Sequence, residues 1–428
     1  MRAYVVVTHI NILAMCEILN EQIKRIKNKF LVLYNYLMTL FFIPYKVHSL
    51  RKKNHISVLF VVNELPTWKT EYLLVAMMAH NRFAPIVGVE KNLENPGAEN
   101  KVLNYCKEKG YSYRLLCESE KLYSQGNPDI VIYQKPYYNH YPPKHRFTYN
   151  RRLLSVYILY AFHTVEESWQ FDKDVMLYSW QYYYENDYSI GNAKKIMRNK
   201  GKNIVVTGTP MMDELLEHIH YSDNPWRNSN KKKKIIYAPH CTIGDFHLQG
   251  VQYSTFLDYS EFMLEMAEKY KDYVAFAFKP HPSLYQRLVE YWGEEKAKNY
   301  YLKWESLENG QLELGKYTDL FFCSDAMIHD CASFTIEYLY TKRPVMYLVR
   351  DDEHHTDNQN PFGKKAYEMH YKGKSKNDIE KFIQDVIRGH DDMKLQRERF
   401  FTDALLPPHK KSACLNIINS ILGEGEYA

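Results

Sequence analysis

From His55 onward the chain alternates short apolar runs with amphipathic stretches. HISVLFVVNE (His55–Glu64) is apolar until its last residues, the pattern of a buried strand. The same reading predicts a helix over Tyr72–His80, a strand over Pro85–Val89, a helix over Asn100–Lys109 and a strand over Asp129–Tyr133. Gln134–His145 is rich in Pro and Tyr, and its prolines, which lack an N–H, stop regular pairing. SVYILYAFH (Ser155–His163) and NIVVTG (Asn203–Gly208) read as further strands. Strands alternating with helices imply a parallel sheet covered by helices.

After TPMMDELLEHI the chain turns polar over His220–Lys234, which reads as a linker. A second alternating series follows. Strands are expected at Ile235–Pro239, Val274–Pro280, Ala326–His329 and Val345–Val349. Helices are expected near Ser260–Tyr270, Leu284–Trp292, Phe334–Thr341 and Ser412–Leu422. The fold class is therefore α/β with two Rossmann-like domains. Residues 54–220 form the first and 231–410 the second, with an N-terminal helical extension over 1–53 and a C-terminal helix and tail over 411–428. A length of 428 residues suits two such cores.

The extension changes the picture of where the protein works. Phe30–Ile43 is apolar, with Lys24, Arg25, Lys27 and Lys29 before it and Lys46, Arg51, Lys52 and Lys53 after it. The run is shorter than the ~18–20 residues that span a bilayer. Two readings remain, a core helix or an interfacial helix held to anionic lipid by its basic flanks. The second predicts a cytoplasmic protein peripheral on the inner face of the plasma membrane. The formal charge of +5 is mild, and no nucleic-acid-binding motif accompanies it. The 7 cysteines include no CxxC pair, so neither a disulfide framework nor a structural zinc site is expected, and a reducing compartment fits. No cofactor and no metal are expected.

Candidate chemistry lies where ligands bind in open parallel sheets, beyond the carboxyl ends of the strands. The second domain has APHCT with His240 and Thr242, then KPHPS with Lys279 and His281. HDCAS follows with Asp330 and Ser333, and Glu337 stands one turn into the next helix. Such groups suit a nucleoside diphosphate. Backbone N–H groups at Cys331–Phe334 and the Ser333 hydroxyl can meet phosphate. Lys279 and a protonated His281 can neutralise charge on a leaving group, and Glu337 can accept bonds from ribose hydroxyls. Each residue has a plainer reading as a cap, a turn or a surface carboxylate. Joint placement after successive strands favours the functional one.

VTGTPMMDEL (Val206–Leu215), IIYAPHCT (Ile235–Thr242), FKPHP (Phe278–Pro282) and SDAMIHDCASFTIEYLYTKRPVMYL (Ser324–Leu348) resemble the CDP-glycerol glycerophosphotransferase family. SVLFVVNELPTWK (Ser57–Lys69) and DIVIYQKPYYNHYP (Asp129–Pro142) are similar to the N-terminal domain of a subgroup. The resemblance implies a GT-B fold, two Rossmann-like domains facing across a cleft, and a membrane-associated transferase building teichoic-acid-like or capsular polysaccharide. It implies a CDP-linked donor, a polymer or lipid-linked acceptor, and a donor site formed by His240, His281, Asp330, Ser333 and Glu337. The His-Gly of well-known members is missing from the N-terminal domain, and LYAFHTVEES (Leu159–Ser168) stands at the analogous strand end, which makes His163 the expected base. Asp330-Cys331-Ala332-Ser333 replaces the frequent Asp-Tyr-Ser-Ser. Two alternatives stay open: a UDP-sugar transferase or UDP-N-acetylglucosamine 2-epimerase-like isomerase, whose Gly-Gly after the loop serine is absent here, and a non-catalytic nucleotide-binding scaffold of capsule assembly.

Overall fold

The structure is a computed structural model that describes residues 26, 30, 33, 34, 37–165, 173–188, 190–245, 252–331, 333–350 and 358–427. Part of the predicted N-terminal apolar run, Ala332 and residues 166–168 lie outside the described residues.

Two parallel sheets organise the chain. The first has seven strands: β1 (Ile56–Val62), β2 (Phe83–Val89), β3 (Tyr113–Leu115), β4 (Ile130–Tyr133), β5 (Leu154–Ile158), β6 (Gln181–Tyr184) and β7 (Ile204–Val206). The second has six: β8 (Lys233–Ala238), β9 (Val274–Phe278), β10 (Gly310–Leu312), β11 (Ala326–His329), β12 (Val345–Leu348) and β13 (Tyr371–Gly373). Helices cover both faces of a parallel sheet, which is why its strands read as near-continuous apolar runs. In β1 six of seven residues are buried, and Phe60 stands between Val87 of β2 and Ile132 of β4. Tyrosine serves the core: Tyr182, Tyr183 and Tyr184 in β6 are each fully buried, as are Tyr237, Tyr338 and Tyr340.

The two sheets share one construction. Their orders are β3-β2-β1-β4-β5-β6-β7 and β10-β9-β8-β11-β12-β13. In each, the first strand in sequence has its next two partners on one side and a later strand on the other. The order therefore reverses between β1 and β4, and again between β8 and β11. At such a switch the loops leaving adjacent strands part in opposite directions and open a crevice.

Strands β3, β6, β10 and β13 add to those the sequence pattern predicts, and helices at 294–306, 361–368, 376–388 and 394–400 add to its helices. The expected helix over Phe334–Thr341 is one α-helical turn (Phe334–Glu337) that tightens into 3₁₀ (Tyr338–Thr341). The polar stretch His220–Lys234 is tied down rather than loose. Trp226 is buried and donates its indole N–H to the Leu320 carbonyl at 3.3 Å, and Arg227 N–H donates to Gln311 at 2.8 Å.

The C-terminal helix Ala413–Leu422 returns to the first sheet, where Ile417, Ile418 and Ile421 join the core around Val58 and Phe60. Its start is held by the VTGTPMMDEL segment. Asp213 accepts from the N–H groups of Ala413 and Cys414, each at 2.8 Å. Gly208 has φ +77°, and a Cβ there would meet the Ala413 Cβ at 2.9 Å. That glycine is required both by its left-handed backbone and by the close approach.

Candidate functional site

At the switch of the second sheet, loops after β8, β9 and β11 converge. Asp330, directly after β11, is fully buried and accepts from His240 N–H at 2.5 Å, Thr255 N–H at 2.6 Å and the Thr255 hydroxyl at 2.9 Å. Both carboxylate oxygens thus bolt the β8 loop and the start of helix Phe256–Lys269 to β11. Burial pushes its pKa up to about 6, against the opposing pull of those bonds and of Arg350. Sequence reasoning set Asp330 among the ligand-binding groups; its contacts are those of a brace.

The brace sets His240 beside His281. Their rings lie 4.8 Å apart at 60°. His281 N–H donates to the Pro239 carbonyl at 3.0 Å, and Ser283 N–H donates to His281 Nδ1 at 3.1 Å. Thr242 is fully buried, with its hydroxyl 3.0 Å from His240 Nδ1. Burial, and then the neighbouring His281, pushes His240 down to about 3; burial and Lys279 push His281 down to about 4. The expected protonated His281 therefore does not describe the free protein, in which both rings are neutral at pH 7. Cys241 joins them: ligand-capable atoms of His240, Cys241 and His281 lie within 4.8 Å of one another, a proximity that no sequence spacing revealed.

Lys279 is buried, and burial lowers the pKa of its ammonium group. Its Nζ lies 5.8 Å from the centre of the Tyr317 ring. Tyr317 donates to Glu337 at 2.6 Å and accepts from Lys69 Nζ at 3.3 Å. Lys69 comes from the loop after β1, so this chain of contacts crosses between the two sheets. Glu337 is buried rather than on the surface; burial raises its pKa while Lys69 and Tyr317 oppose the shift. Ser333 is exposed, and its hydroxyl caps no helix N–H.

His163 belongs to a separate group beneath the first sheet's carboxyl edge. β5 ends at Ile158, and His163 stands in the loop beyond it, 3 % exposed. Its backbone N–H donates to Glu185 at 2.9 Å, and its Nδ1 lies 2.7 Å from the other oxygen of that carboxylate. Nε2 bonds the Tyr182 hydroxyl, and the ring stacks on Tyr184 at 4.2 Å. Asn360 from the second half donates to the His163 carbonyl at 2.7 Å, so this loop also touches both halves. Sequence reasoning missed Glu185, Lys69 and Tyr317. For Glu185 a signal existed, an acid directly after the aromatic run QYYY, but no alternation marked that run as a strand.

Residues 161–423 match the family described as CDP-glycerol:poly(glycerophosphate) glycerophosphotransferase. The chain belongs to that family. It is a transferase that moves glycerophosphate from CDP-glycerol, its nucleotide donor, to a polymer acceptor. The matched span takes in His163 and every second-half residue described above. Among solved structures, the wall teichoic acid polymerase TagF soaked with CDPG is 14 % identical with a TM-score of 0.54, over 94 % of this chain and 96 % of that one. S. aureus MnaA with UDP is 15 % identical with a TM-score of 0.56, over 86 % and 96 %. A Neisseria meningitidis UDP-GlcNAc 2-epimerase bound to UDP-GlcNAc is 13 % identical with a TM-score of 0.53, over 86 % and 100 %. These likenesses establish the GT-B fold, and the family match decides against the isomerase and scaffold readings. No curated protein matches the sequence.

Proposed function

We propose that the crevice between β8 and β11 holds the donor and that the first domain, residues 54–220, presents the acceptor. In this reading the pyrophosphate lies against His240, His281 and Lys279, with Ser333 beside it and Glu337 at the ribose. The acceptor hydroxyl loses its proton to His163, and its oxygen bonds to the glycerol-bearing phosphorus. The bond from that phosphorus to the bridging oxygen breaks and CMP leaves. Lys279 and the two imidazoles stabilise the charge gathering on the departing phosphate. Glu185 orients His163 and stabilises its charged form, as a carboxylate does for a general base. The Tyr182 hydroxyl holds Nε2 in the free protein, so the acceptor hydroxyl takes its place.

The observation that carries this reading is the convergence of His240, His281 and Lys279 at one switch point, each buried or nearly so, on a chain of this family. The test is mass spectrometry of products from CDP-glycerol and a glycerophosphate-terminated acceptor. Release of CMP is expected, with His240→Ala and His281→Ala each slower by at least ~10²-fold, the scale of losing a charge-stabilising group. Near-normal rates in both folded variants would overturn it.

The N-terminal segment supports a place for this reaction. Among the described residues no helix is long and apolar enough to cross a membrane. Yet Phe30 and Phe41 are 68 % and 69 % exposed, and Leu33, Leu37, Leu40 and Tyr45 are exposed beside them. With basic clusters on either side, we read this as peripheral attachment to the inner membrane face, where a lipid-linked acceptor would be met.

A further inference from the structure

We infer that His240 and His281 meet the donor as neutral imidazoles that each carry their proton on Nε2, and that Thr242, through its hydroxyl and its backbone N–H, fixes this form at His240. The inference rests on the donor-site reading above and adds to it a tautomer and a positioning residue.

The argument is one of counting donors and acceptors. The Thr242 oxygen accepts from the N–H of Tyr253 at 2.8 Å and of Ser254 at 3.1 Å. A hydroxyl oxygen has two acceptor positions, and both are taken. Its single proton is left to donate, and His240 Nδ1 lies 3.0 Å away. The Thr242 N–H donates to the same Nδ1 at 3.3 Å. An Nδ1 that accepts carries no proton of its own, so the neutral ring holds its proton on Nε2. His281 reaches the same form by a different route: Ser283 N–H donates to its Nδ1 at 3.1 Å, and a backbone N–H can only donate. No protein group among the described residues bonds either Nε2. Two N–H donors from adjacent strand ends are thus kept for a ligand that accepts, and an oxyanion of the pyrophosphate is such a ligand.

The same count bears on the His240, Cys241 and His281 cluster. A metal would take the Nε2 lone pairs and send each ring's proton to Nδ1. Ligating histidines pass that proton to a carbonyl, carboxylate or water. Here both Nδ1 atoms face N–H and O–H donors, which have nowhere to put it. The site is built to donate to an anion rather than to coordinate a cation. Lys279 then supplies its positive charge while the imidazoles supply direction.

Imidazole ¹⁵N NMR on the full-length protein at neutral pH tests this, with His240→Gln and His281→Gln variants assigning the signals. The expected result is protonated Nε2 and acceptor-type Nδ1 for both rings. Thr242→Val removes the hydroxyl donor to His240 Nδ1 but keeps the backbone N–H, so it should leave the proton on Nε2 and move the His240 Nδ1 signal toward a weaker acceptor, with the signals of His281 unchanged. It should lower kcat by roughly 10-fold with a smaller change in the KM for CDP-glycerol, and Thr242→Ser should restore both. A wild-type His240 with its proton on Nδ1 overturns the inference without reference to any variant's folding. So does one equivalent of Zn²⁺ that moves both rings to metal-bound shifts. If the tautomers are as stated and CDP-glycerol leaves both sets of signals unmoved, the tautomer stands and the donor-site reading fails.

Discussion

At the scale of residues, this protein places a buried and a half-buried histidine, both neutral, beside a buried acid, and the pH dependence of its stability follows. An unfolded histidine titrates near 6.5. His240 and His281 are pushed down to about 3 and 4 in the fold. Between about pH 6.5 and 4 the unfolded chain therefore binds protons at these sites that the folded chain does not, and their contribution to stability is lost as pH falls. Asp330 works the other way. Its pKa is raised to about 6, so the fold holds a proton that the unfolded chain lacks between roughly pH 4 and 6. Two groups outweigh one, and this cluster destabilises on acidification. Urea midpoints should show it: a His240→Gln/His281→Gln variant gains on the natural protein as pH drops from 7 to 4.5. A difference between the two proteins that stays constant across that range would mean that neither histidine is held neutral. The residue scale is also where sequence reasoning had least reach. His240, His281 and Lys279 were legible because they directly follow apolar runs. The partner of His163 was not, because Glu185 arrives through a strand of tyrosines with no apolar alternation, of which Tyr183 is covered by the C-terminal helix and Tyr182 and Tyr184 by residues of the first half.

At the scale of elements, the segment Val206–Leu215 has a structural task that its motif did not announce. It fastens the C-terminal helix to the first sheet. Asp213 meets the first two N–H groups of that helix, where a negative charge is favoured by the helix dipole. Asp213→Ala should leave both N–H groups without that partner and cost about 1–3 kcal/mol. Asp213→Asn, which keeps one carbonyl acceptor, should cost less. Thermal unfolding of both variants measures this, and equal small shifts would show that the helix is held by its apolar face alone. The N-terminal helix makes an opposite argument. Ile43, Val47 and Leu50 turn to the core, while Phe41 and Tyr45 stay exposed. Replacing Phe30, Phe41 and Tyr45 by serine should release the protein from anionic vesicles at low salt without changing its melting point, and raised salt should release the natural protein. Co-sedimentation decides it, with no vesicle binding by the natural protein as the contrary result. Long apolar strands could be placed from pattern alone, whereas the helices capped by Asn360 and Ser375 were not placed. β3, β10 and β13 are three residues each, too short for any period to show. The helix 376–388 did carry Ile379, Phe382, Ile383 and Val386 at helical spacing, and a closer count of that period would have found it.

At the scale of the whole molecule, two sheets with the same switch present one crevice each, and the Lys69–Tyr317–Glu337 contacts run between them. A nucleotide that engages Glu337 and the histidine pair therefore binds where the two halves already touch, and it should stabilise the full chain rather than a local loop. CDP-glycerol or CMP at ~100 times its dissociation constant adds about 2.7 kcal/mol to the folded state. That corresponds to a rise of several degrees in Tm for domains of this size. His281→Ala should lose most of the rise, because the protein then lacks one of two directed donors. Glu337→Gln should keep the phosphate contacts and lose part of it, because the carboxylate that would accept from the ribose is gone. The size order among nucleotides carries the decision. Cytidine nucleotides above uridine nucleotides follow from the family to which the chain belongs. A larger rise with UDP would mean that the crevice, though built on the shared fold, reads a different base.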